Sequence, residues 1–336
     1  MRARLVAVAA LAMLGGLAMT QTPRRLNPVI ELLEQKKPVF GLYAPANPRG
    51  GRGGRGGADS AAAAAAAAAA QAAAKTPAQL AADALAYPNA DLIFDGTMEG
   101  NFDRGYTTFS EFAKGMSDGG VLQKTPYARL KQPLFVKMSK IGDNTTLAAE
   151  RISKQLNLGV AGVVFVGVES AAELRAGLAA MRFRSNGGTR PDDVGVAPAH
   201  WGMTEAQYKQ KADLWPLNKN GELVNWAIVE SREGIDRVRE IAAVPGIGVL
   251  FPGAGTLGGV YSTTDSTGRR VRDDAGWEAA IQKVLAACKE FNVPCGMPAT
   301  ERDIEMRTQQ GFSVFIINWG DAGFRAVDIG RRVGGR

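Results

Sequence analysis

Residues 92–99 read Leu92-Ile93-Phe94-Asp95-Gly96-Thr97-Met98-Glu99, a short apolar run followed by an acidic turn that contains glycine. An unbroken apolar run of this length is typical of a strand that is covered on both faces, as in a parallel sheet. Similar runs recur along the chain at Val39–Tyr43, Leu134–Met138, Gly162–Val168, Trp226–Glu230, Gly248–Phe251, Val293–Met297 and Phe312–Asn318. The chain therefore contains eight predicted buried strands.

Amphipathic helical patterns separate these runs, at Leu147–Leu156, Ala171–Met181, Gly234–Ala243, Trp277–Phe291 and Thr300–Gln310 among others. Eight strands that alternate with helices predict an α/β protein, a closed (β/α)8 TIM barrel that forms one domain over residues 26–334. An open Rossmann-type sheet is the alternative fold. No G-x-G-x-x-G motif follows the first predicted strand, which favours the barrel.

A compositionally biased insertion, residues 48–75, separates the first predicted strand from the second. It begins with an arginine- and glycine-rich part at 48–57 and continues with an alanine run at 61–70. Arginine–glycine sequences can contact RNA, but a surface loop is the interpretation that we favour. Loops that leave the carboxyl end of a barrel strand open on the catalytic face, so a cover over the pocket is a further hypothesis.

The formal net charge of +7 reflects arginines that cluster in the first 55 residues and at 331–336. The middle of the chain is close to neutral, and we predict no nucleic-acid partner.

The N-terminus has the order of a secretory signal peptide. Arg2 and Arg4 precede an apolar stretch at 5–19, and a polar break follows at 21–23. We predict a signal peptide over residues 1–20, with an uncleaved membrane anchor as the alternative. The mature protein is then expected to be exported, either periplasmic or secreted, with no membrane partner after cleavage.

The two cysteines, Cys288 and Cys295, could pair in an oxidising compartment. We favour the simpler interpretation that both are small core residues, because one lies on an apolar helical face and the other in a predicted strand. Their spacing matches no metal-binding motif.

Three segments resemble the HpcH/HpaI aldolase family. Residues 92–98 resemble its second strand, whose usual ending is Asp-Gly-Glu-His, residues 158–173 resemble the fourth strand and its exit, and residues 228–248 resemble the fifth strand and the helix after it. The resemblance runs from about Asn27 to Asp321, apart from the insertion. It implies a barrel of the phosphoenolpyruvate/pyruvate type. It also implies a carbon–carbon lyase that acts on a small 2-oxo or hydroxy acid with a divalent metal (Mg²⁺, Mn²⁺ or Co²⁺).

Two residues retain chemistry that the resemblance implies. Glu230 matches the family's metal-binding glutamate and follows an apolar strand, where its side chain would reach the barrel mouth. Lys137 stands where the family has an arginine that anchors a substrate oxygen; it keeps the charge and loses the bidentate fork. Lys137 could instead form a Schiff base with a keto group, or an ion pair with Asp95 or Glu230.

Other positions depart from the family pattern. Met98 replaces the histidine base, Asn157 replaces an aspartate, and Gly255 replaces the second metal ligand. Asp95, Glu99 or Asp265 could take over that ligand role, and Glu99 could serve as the base.

The remaining candidates are two glycines and a histidine. Gly253 and Gly255 could present backbone amides to an anion, and His200, the single histidine, could contact the ligand from a long loop.

Two functions are consistent with these retained and altered positions. The first is an exported aldolase-like lyase, with Lys137, Asp95, Glu99 and His200 as catalytic candidates. The second is a non-catalytic barrel that binds a small acid or a partner, since the fold alone does not confer activity. The resemblance also implies assembly into a homo-oligomer, commonly through terminal helices. The segment after Asp321 is short and rich in Arg and Gly, so the sequence does not indicate which oligomer forms.

Overall fold

Eight parallel strands form the centre of the protein. The structure is a computed structural model that describes residues 25–47, 69 and 71–336. In chain order, the barrel strands are Val39–Tyr43, Leu92–Asp95, Leu134–Lys137, Gly162–Phe165, Leu223–Val229, Val249–Pro252, Gly296–Pro298 and Val314–Ile317. Every predicted strand is confirmed, with ends that shift by up to three residues.

The strands pair in the order of a closed barrel. Each strand is hydrogen-bonded to the next along the chain, and the last pairs with the first through Val39 and Val314. The sixth and seventh strands meet at a parallel bridge between Leu250 and Cys295, where the Leu250 amide donates to the Pro294 carbonyl at 3.0 Å. The ring is therefore complete, and the predicted TIM barrel is confirmed.

Helices cover the outside of the ring and return the chain from each strand to the next. They comprise Pro28–Glu34, Pro77–Ala86, Phe102–Asp118, Thr145–Leu156, Ala171–Met181, Ala197–Trp201, Glu205–Lys211, Arg232–Asp236, Val238–Ala242, Ala254–Val260, Asp274–Phe291, Ile304–Gln310 and Asp321–Val333. Many begin at a side-chain cap: Asn27, Asn101, Asn144 and Ser170 each accept a hydrogen bond from an amide of the first turn. Such caps satisfy amides that have no helical partner, and so set where each helix begins.

Short accessory strands lie outside the barrel proper. Leu122–Gln123 pairs with Arg129–Leu130, and Ser262–Thr264 pairs with Arg270–Arg272 as an antiparallel hairpin. Leu214–Trp215 adds to the edge of the fifth barrel strand. The hairpin follows the sixth barrel strand and therefore rises from the carboxyl-terminal rim of the ring.

Aromatic side chains fill the interior of the barrel. Trp226 is completely buried, and its ring lies 4.9 Å from that of Phe135, 6.1 Å from Phe94 and 6.3 Å from Phe251. Contacts of this kind close the interior as a packed core rather than a pore.

Cys288 and Cys295 form a disulfide, with seven residues of sequence separation and a Cα–Cα distance of 5.6 Å. Both are buried, so the predicted core placement is correct, but the interpretation that they are unpaired is wrong. The helix Asp274–Phe291 folds back over the strand that follows it, and this brings the two sulfurs together.

Two sequence predictions fall largely outside the described residues. The predicted signal peptide lies there entirely, as does most of the insertion at 48–75. Asn47, which precedes the insertion, and Lys75, its last residue, exchange two hydrogen bonds of 2.8 Å. Among the described residues, no helix has the length and apolar character needed to cross a bilayer.

Candidate active site

A cavity of about 450 Å³ opens at the carboxyl-terminal end of the barrel. Its floor is aromatic, with Phe94, Trp226 and Phe251 rising from three different strands. Charged groups stand at its sides, where Lys137 and Glu230 both line the space. A mostly apolar surface with a few charged groups is the usual form of a small-molecule site.

Glu230 follows the fifth barrel strand directly, and its side chain is half-buried. A β-carbon built on Gly253 would lie 2.5 Å from its Oε2 atom, so the carboxylate rests against the backbone of the sixth strand's exit. Within the part of the chain that the structure describes, no hydrogen bond or ion pair engages this carboxylate. A half-buried carboxylate that no other side chain engages is available to a bound cation.

A second chamber of about 470 Å³ adjoins the first. Tyr43, Phe94 and Lys137 line both spaces and form the partition between them. The rings of Tyr43 and Phe94 meet edge to face at 5.0 Å. Burial raises the pKa of Tyr43 above its ordinary value, with the nearby ammonium of Lys137 acting in the opposite direction. The partition is therefore apolar apart from the Lys137 ammonium and the Tyr43 hydroxyl.

Lys137 ends the third barrel strand and pairs with Glu99 across this partition. Its Nζ atom lies 2.7 Å from Oε2 of Glu99. The lysine side chain is 18% exposed and that of the glutamate 38%, so the carboxylate is the more open of the two. Of the partners considered from sequence, Asp95 and Glu230, neither is the one that the structure gives to Lys137.

Met98 lies on the opposite side of the same turn from Glu99. It is completely buried, and its sulfur accepts a hydrogen bond from Nε2 of Gln155 at 3.6 Å. The same amide nitrogen also donates to the Lys137 carbonyl at 3.4 Å. Because the turn places residue 98 in the core and residue 99 at the second chamber, Glu99 is the residue of this turn that pairs with Lys137.

Asp95 ends the second strand and, like Glu99, lines the second chamber and not the first. Its Oδ1 accepts hydrogen bonds from the amide and the hydroxyl of Thr97, at 2.9 and 2.5 Å. Burial raises the pKa of Asp95, although both bonds from Thr97 act in the opposite direction. Asp95 therefore shapes the acidic turn that carries Glu99.

Gly253 and Gly255 both line the first cavity. Gly253 is pressed against Glu230, whereas a β-carbon on Gly255 would meet nothing within 4 Å. The short helix Ala254–Val260 starts between them. Gly253 thus has a packing reason to be glycine, and Gly255 leaves open space at the position that the family fills with an aspartate.

His200 is not part of this site. It is 4% exposed, sits in the short helix Ala197–Trp201, and packs against Gly159, which precedes the fourth strand at the opposite end of the barrel. Its Nε2 atom is buried without a hydrogen-bond partner, and burial lowers the pKa of His200 to about 4. The structure therefore does not support the predicted contact between His200 and the ligand.

Sequence reasoning missed Arg272 and Trp277, which also line the first cavity. Arg272 comes from the hairpin after the sixth strand, and its guanidinium carbon lies 4.3 Å from the centre of the Trp277 ring. Trp277 in turn donates to the Ala254 carbonyl at 2.9 Å. The only signal in the sequence is an Arg-Val-Arg run at 270–272, which resembles any exposed strand.

The donor set for a metal is small. Among residues 25–47, 69 and 71–336, no group of three or more His, Cys, Asp or Glu side chains is placed to hold an ion. Glu230 offers a free carboxylate, Asp303 in the same cavity uses its Oδ1 to accept from Thr300, and Gly255 offers no side-chain ligand. One carboxylate suits a hard cation that takes its other ligands from water and from a bound acid.

Comparison with known proteins gives one family. A model of the HpcH/HpaI aldolase/citrate lyase family matches residues 120–320. Comparison with curated protein sequences found no match.

Solved structures share the fold over nearly the whole chain. An HpcH/HpaI aldolase/citrate lyase family protein from Burkholderia cenocepacia is 20% identical, with a TM-score of 0.60, over 87% of this chain and 92% of that one. The HpcH/HpaI aldolase from Desulfitobacterium hafniense is 14% identical, with a TM-score of 0.56, over 91% and 95%. Macrophomate synthase is 17% identical, with a TM-score of 0.55, over 93% and 87%. At these identities the comparison shows that the fold is shared and shows nothing further.

Proposed function

Because the chain belongs to the HpcH/HpaI aldolase/citrate lyase family, we propose that it is a carbon–carbon lyase that cleaves a small 4-hydroxy-2-oxo acid to pyruvate and an aldehyde. Aldolase/citrate lyase-type chemistry is the activity of that family. The observation that supports this reaction here is that Lys137 lines the same cavity as the unpartnered carboxylate of Glu230 and pairs with Glu99, which lines the adjoining chamber.

The cleavage requires a base for the hydroxyl group and a positive group for the developing oxyanion. The Glu99 carboxylate takes the proton of the C4 hydroxyl, and the C3–C4 bond breaks as the aldehyde carbonyl forms. The electron pair passes to the pyruvate fragment, which regains a proton at C3. The Lys137 ammonium lies beside Glu99, where it stabilises negative charge.

Glu230 is the residue that would hold a divalent ion. Such an ion, when bound, supplies Lewis-acid stabilisation of charge on the keto oxygen. With a single protein carboxylate, its affinity depends on oxygen ligands from the acid itself. We therefore propose that the metal and the oxo acid bind tightly only when both are present, and that each binds weakly alone.

A Schiff-base mechanism at Lys137 is less well supported. That chemistry requires a neutral amine, commonly in an apolar or cationic environment. Lys137 instead contacts a carboxylate at 2.7 Å. Borohydride trapping in the presence of pyruvate tests this route directly, since a covalent adduct on Lys137 would establish it.

A thermal-shift matrix tests the proposal. Mg²⁺, Mn²⁺ and Co²⁺ are combined with pyruvate or with oxamate, and each component is also tested alone. We expect a stabilisation of several degrees only when a metal and an acid are both present, because ligand stabilisation scales with occupancy. EDTA should abolish pyruvate release from 4-hydroxy-2-oxopentanoate.

Two matched variants separate the site from general charge effects. Glu230→Gln should abolish the joint stabilisation and the activity. Glu169→Gln should keep both, because Glu169 is a mouth carboxylate already paired with Lys140 at 2.5 Å and does not line the cavity. Full activity in Glu230→Gln would refute the metal-binding role of Glu230. No pyruvate release by the wild type, together with no detectable metal binding, would refute the lyase proposal and leave a binding barrel.

We also propose that the protein acts outside the cytoplasm, in the periplasm or after secretion. The basic, apolar and polar order of residues 2–23 supports this, as does a disulfide, which persists in oxidising compartments. Cell fractionation with N-terminal sequencing of the mature chain tests it; an intact N-terminus in the cytoplasmic fraction would contradict it.

A further inference from the structure

The cavity contains a second cationic group whose position is unexplained by the cleavage reaction. Arg272 lines the same space as Glu230 and Lys137 but comes from the hairpin at the rim. Its side chain is 45% exposed. A charged group that reaches into a substrate cavity from the rim is placed to contact the part of a ligand that extends outward.

The guanidinium group of Arg272 is held by a hydrogen bond on one edge and by an aromatic ring on one face. Its Nε atom donates to Oδ1 of Asp274 at 2.5 Å, and its guanidinium plane lies over Trp277. The indole nitrogen of Trp277 is bonded to the Ala254 carbonyl, and Ala254 follows Gly253, the residue that contacts Glu230. The ring contact with Trp277, its hydrogen bond to Ala254 and the contact of Gly253 with Glu230 therefore connect the guanidinium to the carboxylate in the same cavity.

The terminal nitrogens of Arg272 remain free. In the described ranges neither of them donates a hydrogen bond, since the aspartate engages Nε alone. A guanidinium with two free terminal nitrogens matches the two oxygens of a carboxylate, and stacking on an aromatic ring reduces the entropy lost when that carboxylate binds.

The other polar groups around the cavity do not compete for this role. Lys137 is engaged by Glu99, and Asp303 accepts hydrogen bonds from the amide and the hydroxyl of Thr300 at 2.6 and 2.7 Å. Thr256 and Asn318 are neutral. Among the described residues that line the cavity, Arg272 is thus the cation whose terminal nitrogens have no carboxylate partner.

We propose that Arg272 is a specificity-determining residue that binds a second carboxylate, so that the cavity selects dicarboxylic 2-oxo acids over monocarboxylic ones. This inference rests on the proposed function, because the oxo-acid end of the ligand is placed at Glu230 and Lys137. The distal carboxylate then meets the terminal nitrogens of Arg272, while the carbon chain crosses the aromatic floor.

Titration calorimetry with matched acids tests this directly. The full-length protein with saturating Mn²⁺ is titrated with 2-oxoglutarate and with 2-oxopentanoate, which differ only in a terminal carboxylate or methyl group. Oxaloacetate and 2-oxobutyrate form a shorter pair. We expect the dicarboxylic member of at least one pair to bind about tenfold or more tightly, the size of a charge-assisted bidentate contact.

Variants assign the preference to one side chain. Arg272→Gln should bring the two affinities within about twofold of each other, and Arg272→Lys should keep part of the difference. Arg270→Gln is the control, because Arg270 lies on the same strand, donates to the Gly259 carbonyl at 2.6 Å and does not line the cavity. It should keep the full preference. Both arginines are exposed, so folding is not at risk.

The outcomes separate this inference from the function beneath it. Equal binding of both members of each pair in the wild type, or an unchanged preference in Arg272→Gln, would overturn the role of Arg272 and leave the lyase proposal standing. No binding of any of the four acids would overturn both.

Discussion

Gly253 and Glu230 are in such close contact that no side chain fits between them: a β-carbon on Gly253 would lie 2.5 Å from both Cβ and Oε2 of the glutamate. Gly253 has φ −72°, a value that any residue adopts, so space and not backbone freedom requires the glycine. The pair joins the exits of the fifth and sixth strands and sets the direction of the free carboxylate.

Replacing Gly253 with alanine should therefore displace Glu230 without unfolding the barrel. We expect kcat/KM for pyruvate release to fall about 100-fold, the usual cost of moving a catalytic group by an ångström. Gly255→Ala is the matched control, since its β-carbon would meet nothing within 4 Å. Equal activities of the two variants would show that the position of the Glu230 carboxylate does not matter.

Glu99→Gln should lower kcat by about 100-fold or more, because the amide cannot accept the hydroxyl proton. The variant keeps its size and a polar contact with Lys137, so thermal stability should change little. Steady-state kinetics and a melting curve measure the two effects. A normal kcat would show that another group takes the proton.

Met98→His should not restore a histidine base. Position 98 is completely buried beside Gln155, whose Oε1 atom is buried without a partner. One imidazole nitrogen can meet that oxygen and the other is left unpaired, so we expect a loss of about 1–3 kcal/mol of unfolding free energy and no gain in kcat. Urea unfolding and kinetics check this; a faster enzyme would show that the turn can present residue 98 to the cavity.

His200 should make the protein less stable in mild acid. Its pKa is lowered to about 4 in the folded protein by burial, whereas the unfolded chain takes up the proton near 6.5. The unfolded state therefore binds more protons between these values, and stability falls as pH drops through this window and levels off below it.

This histidine should contribute roughly 3 kcal/mol to the loss between pH 6.5 and 4. His200→Gln removes that contribution while the carboxylates common to both proteins titrate as before. Urea unfolding of both proteins at several pH values gives the difference. Parallel pH profiles would contradict the assignment.

The Cys288–Cys295 disulfide should add about 2 kcal/mol of stability, the modest value for a short loop. Equilibrium unfolding with and without a phosphine reductant measures it in the wild type. A double alanine variant should be insensitive to the reductant, and this separates bond cleavage from side effects. A wild type equally stable in both conditions would show that the bond adds nothing to folding.

Much of the scaffold was predictable from local patterns. The strand Val39–Tyr43 was predicted with the bounds that the structure shows, and the helix after Asn144 was predicted to within two residues, because apolar runs and caps depend on near neighbours in the chain. Glu230 could be proposed for the same reason: a carboxylate directly after a buried strand lies at the mouth of any parallel barrel.

The details of the site depended on contacts between distant residues. Glu99 was one of several acidic candidates until the turn placed Met98 against Gln155, 57 positions away. Arg272 lines the cavity because the hairpin that carries it packs on Trp277. His200 does not line it, because its helix packs beside Gly159 at the opposite end of the barrel.

By itself, then, the sequence determined the number and order of the strands, the starts of many helices, and the presence of a carboxylate and an ammonium at one rim. The tertiary structure decided which side chains share a cavity and which lie buried behind it. Periodicity and capping act over a few residues, whereas the rotation of a turn and the closure of the ring are set by packing across the whole barrel.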